Sequence, residues 1–242
     1  MRLLPLLLIA VAVPALAADA PVPEWAKGVT VGVPLDDPNN GGGLLFSDPA
    51  VWKFGRDDKG AGFLELAYDT KTYKSPYQPK HRSPVHICVV KQYPMGDFVM
   101  DVEAMSTIPP YGHQDLCLFF GVESPSRYYY VHLAPAPDAN AHNVFIVNDA
   151  PRKNLLPPQK KGIEWKKNTW HQLRLVRQAS TGKIEVYFDD MTKPVLTAED
   201  KTFQRGFAGF GSFDDTGRFR TLRLYTKNLV IDKQADFFKP LK

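Results

Sequence analysis

Cysteine is scarce in this chain, with two residues, Cys88 and Cys117, among 242. That number is too small for a disulfide-stapled scaffold. Each sits inside an apolar strand pattern, so the two could pair in an oxidising compartment, although their strand-centre positions favour buried thiols. Long apolar runs are missing after the first 17 residues, and nothing later approaches the ~18 residues of a membrane-crossing helix. Charge of one sign is also lacking: 30 Lys and Arg against 26 Asp and Glu leave +4. Apart from the short runs at Lys80-His-Arg82 and Lys160-Lys161, no basic stripe interleaves with aromatics, which excludes a nucleic-acid footprint. No helical period of useful length and no internal repeat is visible.

What is present begins with Arg2, the apolar stretch from Leu3 to Val13, Pro14 and the small-residue triplet Ala15-Leu-Ala17, the pattern of a secretory signal peptide. Its removal at residues 1–17 would leave 225 residues (242 less 17), suited to one large all-β domain. No cysteine follows the cleavage point to take a lipid. The expectation is an exported protein, periplasmic or extracellular, with no membrane insertion after signal cleavage. Residues 18–43 are rich in Pro, Gly, Asp and Asn and read as an irregular lead-in. Short β-rich runs separated by turn residues follow at 63–68, 85–90, 98–105, 115–122, 128–134, 144–149, 170–177, 184–188, 207–212 and 219–225. This rhythm predicts a two-sheet antiparallel sandwich or jelly roll over 44–229, with a C-terminal tail at 230–242. Two long irregular stretches, 70–84 and 134–142, have the length of loops that line or cover a site.

The run Trp170-His-Gln-Leu-Arg-Leu-Val176, the hairpin Gly182-Lys-Ile-Glu-Val-Tyr-Phe-Asp-Asp190 and the Gly-rich strand Gly206-Phe-Ala-Gly-Phe-Gly-Ser-Phe-Asp-Asp215 resemble the concanavalin A-like lectin/glucanase superfamily, including laminin-G-like modules. The resemblance covers the last third of the mature chain well and the middle through strand rhythm. It implies a concanavalin A-like jelly roll, carbohydrate as the ligand class and often a structural calcium ion. Asp214, with Asp215 and Asp48, could supply oxygens to such an ion; an Asp-rich turn capped by its own side chains explains Asp214-Asp-Thr-Gly217 equally well. No other cofactor is required. The closely spaced acidic strand motif of the glucanases is missing, since Asp101-Val-Glu103 lacks a third acid.

Strand parity supplies the candidate site. Residues i and i+2 of a strand share a face, so His86, Cys88 and Val90, then His113, Asp115, Cys117 and Phe119, then Tyr128, Tyr130 and His132 are expected on one polar, concave face. Ile87, Val89, Leu116, Leu118, Phe120, Tyr129, Val131 and Leu133 are expected between the sheets. His142 or Asn143 heads the next strand and Arg152 follows its end. Such a set could perform β-elimination on a uronate polysaccharide, with Arg152 or Arg82 neutralising the carboxylate, His132 or His113 as base, Tyr130 as acid and Asp115 orienting a histidine. Hydrolysis would use Asp115 and a second acid that the sequence does not identify. His86, Arg82, His142, Arg152, Tyr77 and Tyr111 are candidate substrate-binding residues. The loop aromatics Tyr73, Tyr77, Tyr111 and Trp165 would also serve a noncatalytic lectin-like or adhesion module by stacking on sugar, whereas Trp52, Trp170, Phe210 and Phe213 read as core.

Overall fold

A computed structural model of the chain describes residues 21–37, 43–231 and 237–238. Among them run β1 (Val29–Val33), β2 (Leu44–Phe46), β3 (Trp52–Arg56), β4 (Gly62–Leu66) and β5 (His86–Val90). There follow β6 (Phe98–Ser106), β7 (Leu116–Ser124), β8 (Arg127–Leu133), β9 (Asn143–Asn148) and β10 (Lys153–Asn154). The last are β11 (His171–Gln178), β12 (Lys183–Phe188), β13 (Leu196–Glu199), β14 (Phe207–Ser212) and β15 (Gly217–Thr226). Three-residue 3-10 turns lie at Glu24–Ala26 and Pro49–Val51. No helix among the described residues is long and apolar enough to cross a membrane. The proposed leader at 1–17 lies outside the described residues.

Two antiparallel sheets form a sandwich. One has seven strands in the order β10-β9-β8-β7-β14-β5-β2, and the other runs β13-β12-β11-β6-β15-β4-β3 with β1 added on β15. All ten segments expected from the sequence are strands. The five others are short, edge or lead-in pieces: β2 and β10 have only three and two residues, and their ladder partners, not their own pattern, make them strands. The lead-in expected to be irregular contains β1, which pairs with the second half of β15, Val29 against Thr226 through Val33 against Leu222. The first half of β15 pairs with β4 instead. A bulge between Arg220 and Arg223, where Thr221 takes φ 57°, separates the halves.

The main core lies between the sheets. Cys88, Val90, Leu116, Leu118, Phe120, Tyr129, Val131, Leu133 and Phe210 pack there against Met100, Val102, Leu173, Leu175, Val186, Phe219 and Leu224 of the opposite sheet. Burying such a set supplies most of the driving force for the sandwich. The expected inward faces of β7 and β8 are therefore correct, and that of β5 is reversed. Cys88 pairs with Phe210 and Phe210 with Leu118, which sends His86, Cys88 and Val90 inward and Ile87 and Val89 outward. All five residues of β5 are buried, so its alternation holds no sign of which side faces the partner sheet.

The outer face of the seven-stranded sheet is a second apolar layer, not an open polar groove. Val89, Phe119, Tyr128, Tyr130, Phe145 and Val147 lie in it beneath Tyr77 from the 67–85 loop and Phe238 from the C-terminal segment. Tyr77 and Phe238 meet edge to face at 5.3 Å, and the Tyr77 hydroxyl donates to the Pro125 carbonyl at 3.3 Å. The Gly-rich character of β14 follows from crowding on this face. A Cβ on Gly211 would sit 1.9 Å from the His86 carbonyl oxygen and 3.2 Å from the Phe119 ring.

Candidate functional site

At the end of the seven-stranded sheet where β5, β7 and β9 begin and β8 and β14 end, four connections meet: 67–85, 107–115, 134–142 and 213–216. Asp115, in the last turn before β7, is the hub. It is buried, 1% exposed, and accepts hydrogen bonds from the Phe213 N–H at 3.1 Å and from the Ser212 hydroxyl. Its own N–H donates to Asp215 Oδ2 at 2.7 Å, and the Asp215 N–H donates back to Ser212 Oγ at 2.7 Å. The hydroxyl of Tyr111, which is 44% exposed, donates to both oxygens of Asp215 at 2.9 and 3.1 Å. Two carboxyls thus share one small polar nest. Burial raises the Asp115 carboxyl well above its usual range, reinforced by Asp215; burial likewise raises Asp215 to about 7.

Beside this nest the Phe213 ring is half-buried and lies under two guanidinium groups, Arg152 at 5.1 Å and Arg82 at 5.4 Å from its centroid. Arg152 donates to the Tyr130 hydroxyl at 2.8 Å and to Asn140 Oδ1 at 3.1 Å, and covers Phe145 at 5.0 Å. His132 stacks with Phe213 at 6.4 Å. Its Nε2 lies 3.7 Å from Asp115 Oδ2, too long for a hydrogen bond, and neither ring nitrogen has a partner among the described residues. Burial, then the nearby Arg152 charge, depresses His132 to about 3, so the ring is neutral. Exposed His113 pairs with Asp138 at 2.9 Å on the rim.

The expected set is therefore only partly assembled. Asp115, Tyr130, His132, Arg152, Arg82 and Tyr111 converge around Phe213 and the Asp115–Asp215 nest, and His113 stands on the adjoining loop. Tyr130 is fully buried, stacked on Phe145 at 4.8 Å, with burial raising its hydroxyl far above the usual range. His86 faces the inter-sheet core and packs on Tyr68 at 4.3 Å; burial lowers it to about 4. His142, at φ 51°, is buried and accepts the Ala134 N–H through Nδ1 at 3.4 Å. Tyr77 and Trp165 are buried, the latter donating to the Leu133 carbonyl at 2.7 Å, so neither offers a free ring face. Asp48 caps the 3-10 turn through the Ala50 N–H and accepts the hydroxyls of Tyr73 at 2.7 Å and Ser75 at 2.9 Å.

Two participants have a different place from the one the sequence suggested. Phe213, expected in the core, is the platform for both arginines, and Asp215, named as a calcium ligand, is the acid that joins Asp115. Their shared signal is the polar stretch Ser212-Phe-Asp-Asp215 ending an otherwise apolar Gly-rich strand. Cys88 and Cys117 are both buried free thiols on opposite faces of the sheet.

No protein-family description and no curated protein sequence matches the chain. Solved structures do. The carbohydrate-binding module CBM66 from Bacillus subtilis superposes with TM-score 0.54 at 14% identity, over 76% of this chain and 96% of that one. Lectin UEA-II complexed with galactose gives 0.51 at 11% identity, over 83% and 98%. Lectin II from Ulex europaeus gives 0.51 at 11%, over the same shares. The chain has the concanavalin A-like jelly-roll fold.

Within that fold the calcium set of Asp214 and Asp48 meets a poor fit. Asp48 is engaged by three protein donors, and Asp215 by Asp115 N–H and Tyr111. No group of three His, Cys, Asp or Glu side chains among the described residues is arranged to hold a metal ion. The concanavalin A-like sandwich instead brings to its loop end a carboxyl nest, a ring platform and two cations.

Proposed function

We propose that this protein binds carbohydrate at the loop end of its seven-stranded sheet, outside the cytoplasm after loss of residues 1–17. The observation that carries the reading is the Phe213 ring with Arg82 and Arg152 over it, beside the exposed Tyr111 and Asn140. Sugars present apolar C–H faces and a rim of hydroxyls, and are held by flat rings and guanidinium or amide hydrogen bonds. The fold shared with a carbohydrate-binding module and with a galactose-complexed lectin supports the same class by analogy. The apolar layer under Tyr77 and Phe238 argues against a ligand lying along the sheet's outer face and for one held at its end.

A second reading, glycoside hydrolysis, is favoured by one feature: Asp215, raised to about 7, is suited to act as an acid, with Asp115 beside it. The elimination reading is less well supported, because Tyr130 is enclosed and His132 is too weak a base at about 3. Affinity electrophoresis of the mature protein through a panel of neutral and acidic polysaccharides, followed by assays for reducing ends and unsaturated uronate absorbance, tests all three. Retardation without product is expected. No retardation by any glycan overturns the binding reading, and product formation that is lost in Asp215→Asn establishes the hydrolase in place of a pure binder.

A further inference from the structure

We propose that Arg82 and Arg152 form a subsite for the carboxylate of an acidic sugar, so that the ligand is a uronate-containing saccharide; this rests on the sugar-binding reading above. Two cations over one ring form an unusual arrangement, because each raises the local potential that the other must tolerate. Internal carboxylates usually resolve it, but among the described residues neither Arg82 nor Arg152 has a carboxylate within ion-pair distance, in contrast to Arg127, Arg174, Arg218 and Arg220, which do. Arg152 is held by neutral acceptors only, the Tyr130 hydroxyl and Asn140 Oδ1. Of a guanidinium's five N–H donors these take two, which leaves donors for a ligand.

The surrounding titratable groups do not supply the missing charge. The neighbouring carboxyls in the nest, Asp115 and Asp215, are the ones that burial disposes to stay protonated at mildly acid pH. His132 is neutral, and His113 is matched by Asp138. Asp214, on the adjoining turn, has its carboxyl raised by burial against the lowering effect of the Arg82 and His113 charges, and makes no salt bridge with either among the described residues. The aromatic plane orients both guanidiniums by cation–π contact. A guanidinium fork held there suits bidentate capture of a carboxylate.

The test is titration calorimetry of the mature protein at pH 6 and low salt with oligosaccharides of galacturonate, glucuronate and mannuronate, each beside its methyl ester, and with a neutral and a sulfated oligosaccharide. At least one acid is expected to bind about tenfold more tightly than its ester. Arg82→Ala and Arg152→Gln should each remove that preference, the acid losing more affinity than its ester. Asp214→Asn, which cannot act by unfolding the site if it improves it, should tighten the acid by about threefold by removing a competing negative charge. Esters bound as well as acids, a preference that survives both arginine replacements, or preferred binding of the sulfated sugar would overturn the subsite. Binding of the neutral glycans alone overturns it and leaves the sugar-binding reading standing; no binding at all overturns both.

Discussion

Replacing Asp215 with Asn should make the protein more stable at neutral and alkaline pH and change little at acid pH. Asp215 is 5% exposed, and burial lifts its carboxyl from the ordinary 3.8 to about 7. Between those values the folded state holds a proton that the unfolded state has lost, so stability falls as pH rises through that window and the full cost is present above about 7. Three units correspond to a ceiling of about 4 kcal/mol at 1.36 kcal/mol per unit. Asn keeps a carbonyl oxygen to accept the Asp115 N–H and the Tyr111 hydroxyl, bonds now made by Asp215, and never ionises. Urea unfolding of both proteins from pH 4.5 to 8.5 measures the difference. The two curves should lie closest at pH 4.5 and diverge steadily to pH 7, the variant lying above. Parallel curves, or a variant uniformly less stable, would refute the placement of a neutral carboxyl in this nest. The same measurement should show the wild-type optimum near pH 6 to 7. His86, His132 and His142 are depressed by burial to about 4, 3 and 4, so the unfolded state binds more protons below about 6.5 and stability is lost as pH falls through that range.

Three other outcomes follow from particular contacts. His132→Phe removes two buried ring nitrogens without partners and should abolish the part of the acid-side slope due to this residue, about 1.4 kcal/mol per pH unit below 6.5; a slope unchanged in denaturant titrations would contradict its buried neutral state. Arg177, 2% exposed, donates to the carbonyls of Gly182, Asp200 and Phe203 at 2.9, 2.9 and 3.0 Å, and the Gly182 carbonyl also accepts the Asp200 N–H, at 2.9 Å; Arg177→Met, which takes the side-chain donor from all three, should cost about 2–4 kcal/mol in urea unfolding, and a loss below 1 kcal/mol would show that those carbonyls find other donors. Cys88 and Cys117, buried on opposite faces, should be silent to a thiol reagent in the native protein and titrate as two thiols once unfolded; one disulfide by mass would place them differently.

The strand pattern by itself determined the all-β class and the ten principal strands, because alternation of apolar side chains and Gly- or Asp-bearing turns is local information. The same alternation correctly oriented β7 and β8, whose inward residues Leu116, Leu118, Tyr129 and Val131 oppose polar or aromatic ones. It failed for β5, whose two faces are both buried, and for β1, which is a strand only because β15 changes partners at its bulge. The sequence also named most of the site, since Asp115, His132, Tyr130 and Arg152 share one end of adjacent strands. What it did not determine was which of them meet solvent. That depended on Tyr77 and Phe238 covering the sheet's outer face and on the turn after β14 bringing Asp215 to Asp115 and Phe213 beneath two arginines. Such contacts span about a hundred residues of chain, and a side chain's burial, and with it its charge state, is set by those distant neighbours and not by its own position in a strand.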